Sequence, residues 1–419
     1  MINKKEIFQF LTLTIRSEKV LLAISGGADS ILLLHMIHQW TLTSKLNTKI
    51  AVCHVDHNIR YQSSQDSVFV RKICSNMNIP IFVKTIEWKE SPPTSNIQSR
   101  CRTKRYKILE GMCNTKNIKY LLTGHHRDDN IETFLLNLER GSGIDGLSSI
   151  ARCKKISKDL TILRPLLNIG KEDIYSYLKA HNFDWIEDPS NTNTKYKRNF
   201  LRKIIDTESL TLKNRILNTI SHIQNSMYTV YHYAYIEMQK IITVNHGFIT
   251  IEISSFVKLP QEIQSRILMW CIQVIGGKPY KPKYTTLQRI LSSEKISLTI
   301  SSCYVKKTKK ELKILKEYQH ITDVIEILPN GTILWDKRFT ITNNSTTTLS
   351  VTRNSVEYIN SEHKTLYTEN VLLTMPIAII EQKTILLINH LSGIRITFNF
   401  YSLLHNIHPW FMENIEHPN

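Results

Sequence analysis

Residues 25–30, Ser25-Gly26-Gly27-Ala28-Asp29-Ser30, have the composition of an anion-binding turn. Two adjacent glycines let the backbone turn sharply and bring N–H groups close to an oxygen. The apolar run at 31–40 reads as a helix whose start adds the positive end of its dipole. Ser25 and Ser30 supply hydroxyl donors, and Asp29 can cap the helix or face a magnesium ion. The chemistry implied is phosphate binding. It is not that of the common ATPases, because G-x-x-x-x-G-K-[ST] occurs nowhere in the chain. Residues 141–146 (GSGIDG) formally match G-x-G-x-x-G, but they follow an expected helix instead of a strand, so a dinucleotide role fails its context. His54 with His57, and His125 with His126, invite a metal reading, yet neither pair comes with a suitable ligand set.

The elements that must position this turn are legible as short apolar runs separated by helical stretches. Residues 19–25 (KVLLAIS), 49–55 (KIAVCHV), 81–86 (IFVKTI) and 119–123 (KYLLT) read as strands, with room for crossover helices between them. That rhythm predicts an α/β fold with a doubly wound parallel sheet, whose ligands bind at the carboxyl ends of the strands. From Asn214 the spacing changes. Ile216, Ile220, Ile223, Met227, Tyr231 and Ala234 recur every three or four residues, which predicts one long amphipathic helix opening a mainly helical middle domain. Past Asn330 alternation and frequent turns predict a small β-rich final domain. The expected division is 1–205, 206–325 and 326–419.

Composition narrows the class. The 419 residues are 42% hydrophobic with 13 Gly and 12 Pro, enough apolar material for buried cores and no disordered bias. No run approaches a membrane span, and no membrane partner is expected. Lys4 and Lys5 precede an apolar stretch that Gln9, Thr12 and Thr14 interrupt, which predicts an amphipathic first helix instead of a signal peptide. Seven scattered cysteines without a C-x-x-C pair point away from disulfides and thiolate metal sites and toward a reducing cytoplasm. The net charge is +18; residues 1–205 carry 32 basic against 19 acidic side chains, and the remainder 22 against 17. Clusters at Arg100, Arg102, Lys104, Arg105 and Lys107, at Lys195 to Lys203, and at Lys306, Lys307, Lys309, Lys310, Lys313 and Lys316 suit a polyanionic partner. A solvated helix face would look the same.

Ordered motifs then sharpen the reading. SGGADS after a first strand resembles the pyrophosphate loop of the N-type ATP pyrophosphatases. Residues 54–60 (HVDHNIR), 102–106 (RTKRY), 122–133 (LTGHHRDDNIET), 140–147 (RGSGIDGL), 164–167 (RPLL) and 188–202 (DPSNTNTKYKRNFLR) follow in an order that resembles the tRNA(Ile)-lysidine synthetases. The likeness is dense over about residues 18–205 and weaker beyond. It implies an adenine nucleotide alpha hydrolase-like domain and an ATP-dependent ligation of L-lysine to C2 of the first-anticodon-position cytidine of an isoleucine tRNA bearing CAU. In that reaction ATP adenylates the base oxygen and the lysine side-chain amine displaces AMP.

By the same resemblance, Ser25, Gly26, Gly27, Ala28, Asp29, Ser30, His54, Arg105, Gly124 and His125 are expected at ATP, and Asp29 and Asp129 on magnesium. Arg105 is the expected phosphate clamp. Asp29, Arg105, Asp129 and Glu132 form the expected catalytic set, Glu132 steering or deprotonating the incoming lysine. Arg198, Asn199 and Arg202 are expected on tRNA phosphates, with a solvated helix face as the competing reading. Asp128 reads better as a helix cap than as a catalytic group. Asn130 stands where Gln is usual in the family and Cys101 where Ala is common; neither change removes a charge. The family also implies a homodimer. A tRNA thiolase sharing the loop is the alternative, disfavoured because sulfur transfer usually recruits active cysteines.

Overall fold

The computed structural model describes residues 2–16, 19–44, 47–59, 63–88, 97–157, 160–187, 201, 205, 207–278, 280–321, 324–359, 364, 367–380, 383–387 and 393–408. The chain forms two compact units, Met1–Met227 and Tyr228–Asn419. No helix among the described residues is long and apolar enough to cross a membrane.

In the first unit, helix α1 (Lys4–Thr14) precedes strand β1 (Lys19–Ala23), helix α2 (Ala28–Thr43), β2 (Lys49–Asp56), α3 (Ser63–Asn76), β3 (Ile81–Thr85), α4 (Ile97–Lys116) and β4 (Tyr120–Thr123). Then come α5 (Arg127–Glu139), α6 (Ile144–Leu147), β5 (Cys153–Ser157), β6 (Leu160–Leu163) and α7 (Lys171–Ala180). The six-stranded sheet runs β3-β2-β1-β4-β6-β5. All neighbours are parallel except the β5–β6 hairpin, which the sequence did not announce.

Period-two alternation assigns the two faces of β1. Val20 and Leu22 join a core with Ile7, Leu11, Leu33, Trp40, Ile174 and Leu178, while Leu21 joins another with Cys53, Leu109, Met112 and Leu121. Helices therefore cover both faces, the doubly wound arrangement expected. Helix α2 is apolar nearly all round and accordingly buried, and its Trp40 indole N–H donates to Thr12 Oγ1 at 3.0 Å. The amphipathic first helix buries Ile7 and Leu11. Because β1 lies between β2 and β4, the loops leaving β1 and β4 open a crevice at their carboxyl ends, the topological switch point.

Helix α8 (Leu210–Ile241) covers the predicted amphipathic stretch and buries Ile220, Tyr231 and Ala234. In the second unit β7 (Ile242–Val244), β8 (Ile249–Glu252), β9 (Ile296–Ile300), β10 (Cys303–Lys307) and β11 (Glu311–Lys316) form an antiparallel sheet in the order β7-β8-β11-β10-β9. Helices α9 (Gln261–Gly276) and α10 (Tyr284–Ser292) lie between β8 and β9 in sequence. The middle stretch thus carries a sheet alongside its helices. The β-rich end contains β12 (Ile325–Ile327), β13 (Thr332–Trp335), β14 (Phe339–Asn343), β15 (Leu349–Arg353), β16 (Pro376–Ile380), β17 (Lys383–Leu386) and β18 (Ile394–Phe398), followed by α11 (Phe400–Ile407). These strands make sheets ordered β12-β15-β16-β17 and β13-β14-β18.

Candidate active site

The turn after β1 holds its shape through internal bonds. Gly26 has φ +96°, and a Cβ there would stand 2.6 Å from Ile186 Cδ1, so both its conformation and its neighbour require glycine. The N–H of Ile186 donates to the Gly26 carbonyl at 2.9 Å. Ser30 Oγ accepts from the N–H groups of Ser25 (3.2 Å) and Gly26 (3.1 Å) and donates to the Gly27 carbonyl at 2.8 Å. Ser30, expected as a phosphate donor, is here the peg on which the loop is folded. Gly27 is the N-cap of α2, and no side chain among the described residues caps that end, so the first amides of a sixteen-residue helix are left for a ligand. His54 is buried at the end of β2, where its Nδ1–H donates to the carbonyl of Ile24 at 2.9 Å. It steadies the approach to the loop.

Glycine also lets the β4 loop come close. A Cβ on Gly124 would lie 3.0 Å from the Asp29 carbonyl oxygen, with Ser30 N at 3.2 Å. This approach brings Asp29 toward the start of α5. His126 Nε2 lies 3.7 Å from Asp29 Oδ2 and 3.5 Å from Asp129 Oδ2. Burial works against a charged imidazole there, but Asp129, the hydrogen bond with Asp128 and Asp29 outweigh it, and the pKa of His126 is raised. Asp29 Oδ1 is buried with no hydrogen-bond partner among the described residues. A buried carboxylate oxygen in that state suits a cation ligand. Asp129 keeps a side-chain exposure of 20%. Among the described residues, no group of three or more His, Cys, Asp or Glu side chains could by itself hold a metal. A magnesium ion would thus draw on one or two carboxylates and on substrate phosphate oxygens, its usual habit.

The cap expected from Asp128 is made, on a different helix. His126 is the N-cap of α5, its Nδ1 facing the Asp128 N–H at 3.3 Å, and the Asp129 carboxylate completes the box by accepting the His126 N–H at 3.2 Å. Asp128 instead accepts the N–H of Lys171 at 2.8 Å, capping α7, whose N-cap Gly170 has no side chain to offer. Burial opposes the charge on Asp128, yet His126 and the Lys171 amide hold its pKa down at about 2. Lys213 of α8, itself buried, places Nζ 3.9 Å from Asp128 Oδ1. Arg127 Nη2 reaches Glu172 Oε1 at 2.5 Å by passing over Gly170, where a Cβ would collide with the guanidinium. Glu132, one turn beyond Asp129, is 1% exposed. The two carboxylates of α5 therefore differ in their access to solvent.

Cations gather around His125. His125 Nδ1 and Thr123 Oγ1 lie 2.9 Å apart. Burial lowers the His125 pKa to about 3, Asp129 opposing this and Arg164, Arg102 and Arg105 adding to it, so the ring is neutral. Arg105 is half-buried, its Nε without a hydrogen-bond partner among the described residues, and burial lowers its pKa. Arg164 is buried, its Nη1 donating to the Ala151 carbonyl at 2.6 Å. Arg164 was legible in the sequence only as part of RPLL, and no local signal marks Lys213. Arg198, Asn199 and Arg202 lie outside the described residues. Six of the seven cysteines, Cys53, Cys74, Cys101, Cys113, Cys271 and Cys303, are free and buried. Burial pushes Cys53 and Cys74 to about 11 and Cys113 to about 12, which makes them poor nucleophiles.

This geometry belongs to a recognised group of sequences. Residues 2–208 match the family model described as a PP-loop domain. The chain is 37% identical over 337 residues to the tRNA(Ile)-lysidine synthase of Wolbachia pipientis wMel, covering 78% of this chain and 77% of that one. It is 34% identical over 339 residues to the enzyme of the same name from Rickettsia prowazekii (strain Madrid E), covering 78% and 76%.

Proposed function

Because the chain belongs to the tRNA(Ile)-lysidine synthase family, we propose that it runs the two-step ligation at the crevice between the loops after β1 and β4. The chain is an ATP-dependent ligase acting on tRNA and lysine. The observation that carries the local reading is the uncapped start of α2 behind Gly26 and Gly27, with Asp29 beneath it and Asp129 across the crevice.

In the first step the C2 oxygen of the cytidine attacks the α-phosphorus of ATP, forming an O–P bond as the bond to pyrophosphate breaks. The amides of residues 27–29 receive phosphate oxygens, and Arg105, whose Nε has no hydrogen-bond partner among the described residues, supplies positive charge to the anion that develops. Asp29 and Asp129 would hold magnesium, which when bound neutralises the leaving pyrophosphate. In the second step the neutral lysine amine attacks C2, and AMP departs with the former base oxygen. The incoming ammonium must lose its proton before the amine can attack. Glu132 is almost fully buried, which fits positioning and not contact. His125, held neutral, orients the nucleotide without adding charge.

We further propose the CAU anticodon as the recognition element, a reducing cytoplasm as the setting, and residues 206–325 and 326–419 as the tRNA-gripping parts. The raised thiol pKa values count against sulfur transfer. Incubation with ATP, labelled lysine and isoleucine tRNA is expected to place label in the tRNA. A folded chain that binds ATP yet incorporates no lysine would defeat the proposal.

A further inference from the structure

The turn joining α9 to α10, residues 277–284 (GKPYKPKY), stands apart in both charge and exposure. Residues 263–293 contain no acidic side chain, and Lys278, Lys281 and Lys283 are all exposed within them. Two aromatic rings stand in solvent beside these lysines, Tyr280 between Lys278 and Lys281 at 80% exposure and Tyr284 just after Lys283 at 64%. An isolated exposed apolar residue needs no explanation, but two tyrosines interleaved with three cations make a surface of stated chemistry, flat stacking faces beside positive charge.

The turn is also preorganised. Gly277 ends α9 in the left-handed region at φ 62°, the N–H of Lys278 returns to the Gln273 carbonyl at 3.2 Å, and Pro282 is buried. Lys283 is the N-cap of α10. No side chain caps that helix and no acid lies in its first turn, while the N–H groups of Thr286 and Leu287 already bond the Lys283 carbonyl. The first amides of α10 thus lie in the same short stretch of chain as Lys281 and Lys283, and a helix start of this kind also favours an anion.

We propose that this turn is an RNA-contacting element, taking a phosphate of the bound tRNA at the start of α10 with Lys281 and Lys283, and stacking an unpaired base on Tyr280 or Tyr284. The proposal rests on the lysidine synthase reading and names part of the surface that grips its substrate. RNA is favoured over a protein or a membrane because the patch has no aliphatic anchor to bury, whereas phosphate and base faces match its two kinds of side chain.

The test measures binding of isoleucine tRNA by the full chain across a salt series, for wild type, the pair Lys281→Gln and Lys283→Gln, and the pair Tyr280→Ala and Tyr284→Ala. Losing two phosphate contacts is expected to weaken binding about tenfold at low salt and to lower the slope of log Kd against log salt by about 1.5. Losing a stacked base is expected to weaken binding about tenfold with the slope unchanged. All four side chains are exposed, so thermal melting should be unaltered, and either pair alone still tests the element should the other misfold. Wild-type binding with both variants within twofold of it and the same slope would overturn the proposal. A wild-type chain that takes up no isoleucine tRNA is a separate outcome, which contradicts the lysidine reading and removes this element with it.

Discussion

Two clusters of basic residues look alike in the sequence and behave in opposite ways in the fold. In the hairpin of β10 and β11, cations are consumed by the protein. Lys307 is buried with Nζ donating to the carbonyls of Ile290 (3.0 Å) and Leu291 (2.8 Å), closing the carboxyl end of α10. Lys316 does the same for α9 through the Gly276 carbonyl at 2.9 Å and lies 3.4 Å from Asp336, which also takes Arg338 Nε at 2.6 Å. Lys313 pairs with Glu311 at 2.8 Å. On α4, by contrast, Arg105 keeps a buried Nε without a hydrogen-bond partner among the described residues, and Arg102 is exposed over the ring of Tyr106. A cation whose donors already meet carbonyls and carboxylates is a strut, whereas Arg105 keeps one donor available beside the cations that surround His125.

That contrast can be broken in order of expected effect. Asp129→Asn should leave folding intact and lower lysine transfer about a thousandfold or more, the scale of losing a group that acts on developing charge; near wild-type turnover in a labelled-lysine assay would remove the carboxylate from the site. Lys316→Met should instead lower stability by about 3 kcal/mol, because Asp336 stays buried with half of its countercharge gone. Chemical denaturation reads this directly, and nucleotide affinity should stay within twofold. Arg105→Met is expected to reduce turnover about a hundredfold while stability holds or rises by up to about 1 kcal/mol, since a partly desolvated charge is removed. A marked loss of stability would make Arg105 a strut as well. Lys307→Met should lower stability by about 1.5 kcal/mol by leaving two helix-end carbonyls without their cation, with no change in kcat.

The parallel sheet was legible because its strands are short apolar runs bounded by turn residues, and β1 and β4 matched to within a residue or two. The phosphate loop was legible because its turn needs a left-handed residue, which Gly26 supplies at φ +96°, directly after an apolar strand and before an apolar helix. The β5–β6 hairpin was hidden by Lys154 and Lys155, and the sheet of the middle stretch by the lysines of β10 and β11, whose charges suggested a solvated helix although alternate residues point inward. His126 escaped as a cap because histidine is not a usual one, and Asp128 was placed on the wrong helix because its partner is 43 positions away. Lys213 gave no signal at all. Partners set by tertiary approach leave no local pattern to read.

The account turns on the base being adenylated before lysine arrives. With lysine withheld, α-labelled ATP and isoleucine tRNA should yield tRNA carrying labelled AMP, and later addition of lysine should release that label as the amino acid joins the base. Label that stays wholly in free nucleotide, under conditions where the same preparation joins lysine to tRNA once all substrates are present, would contradict it.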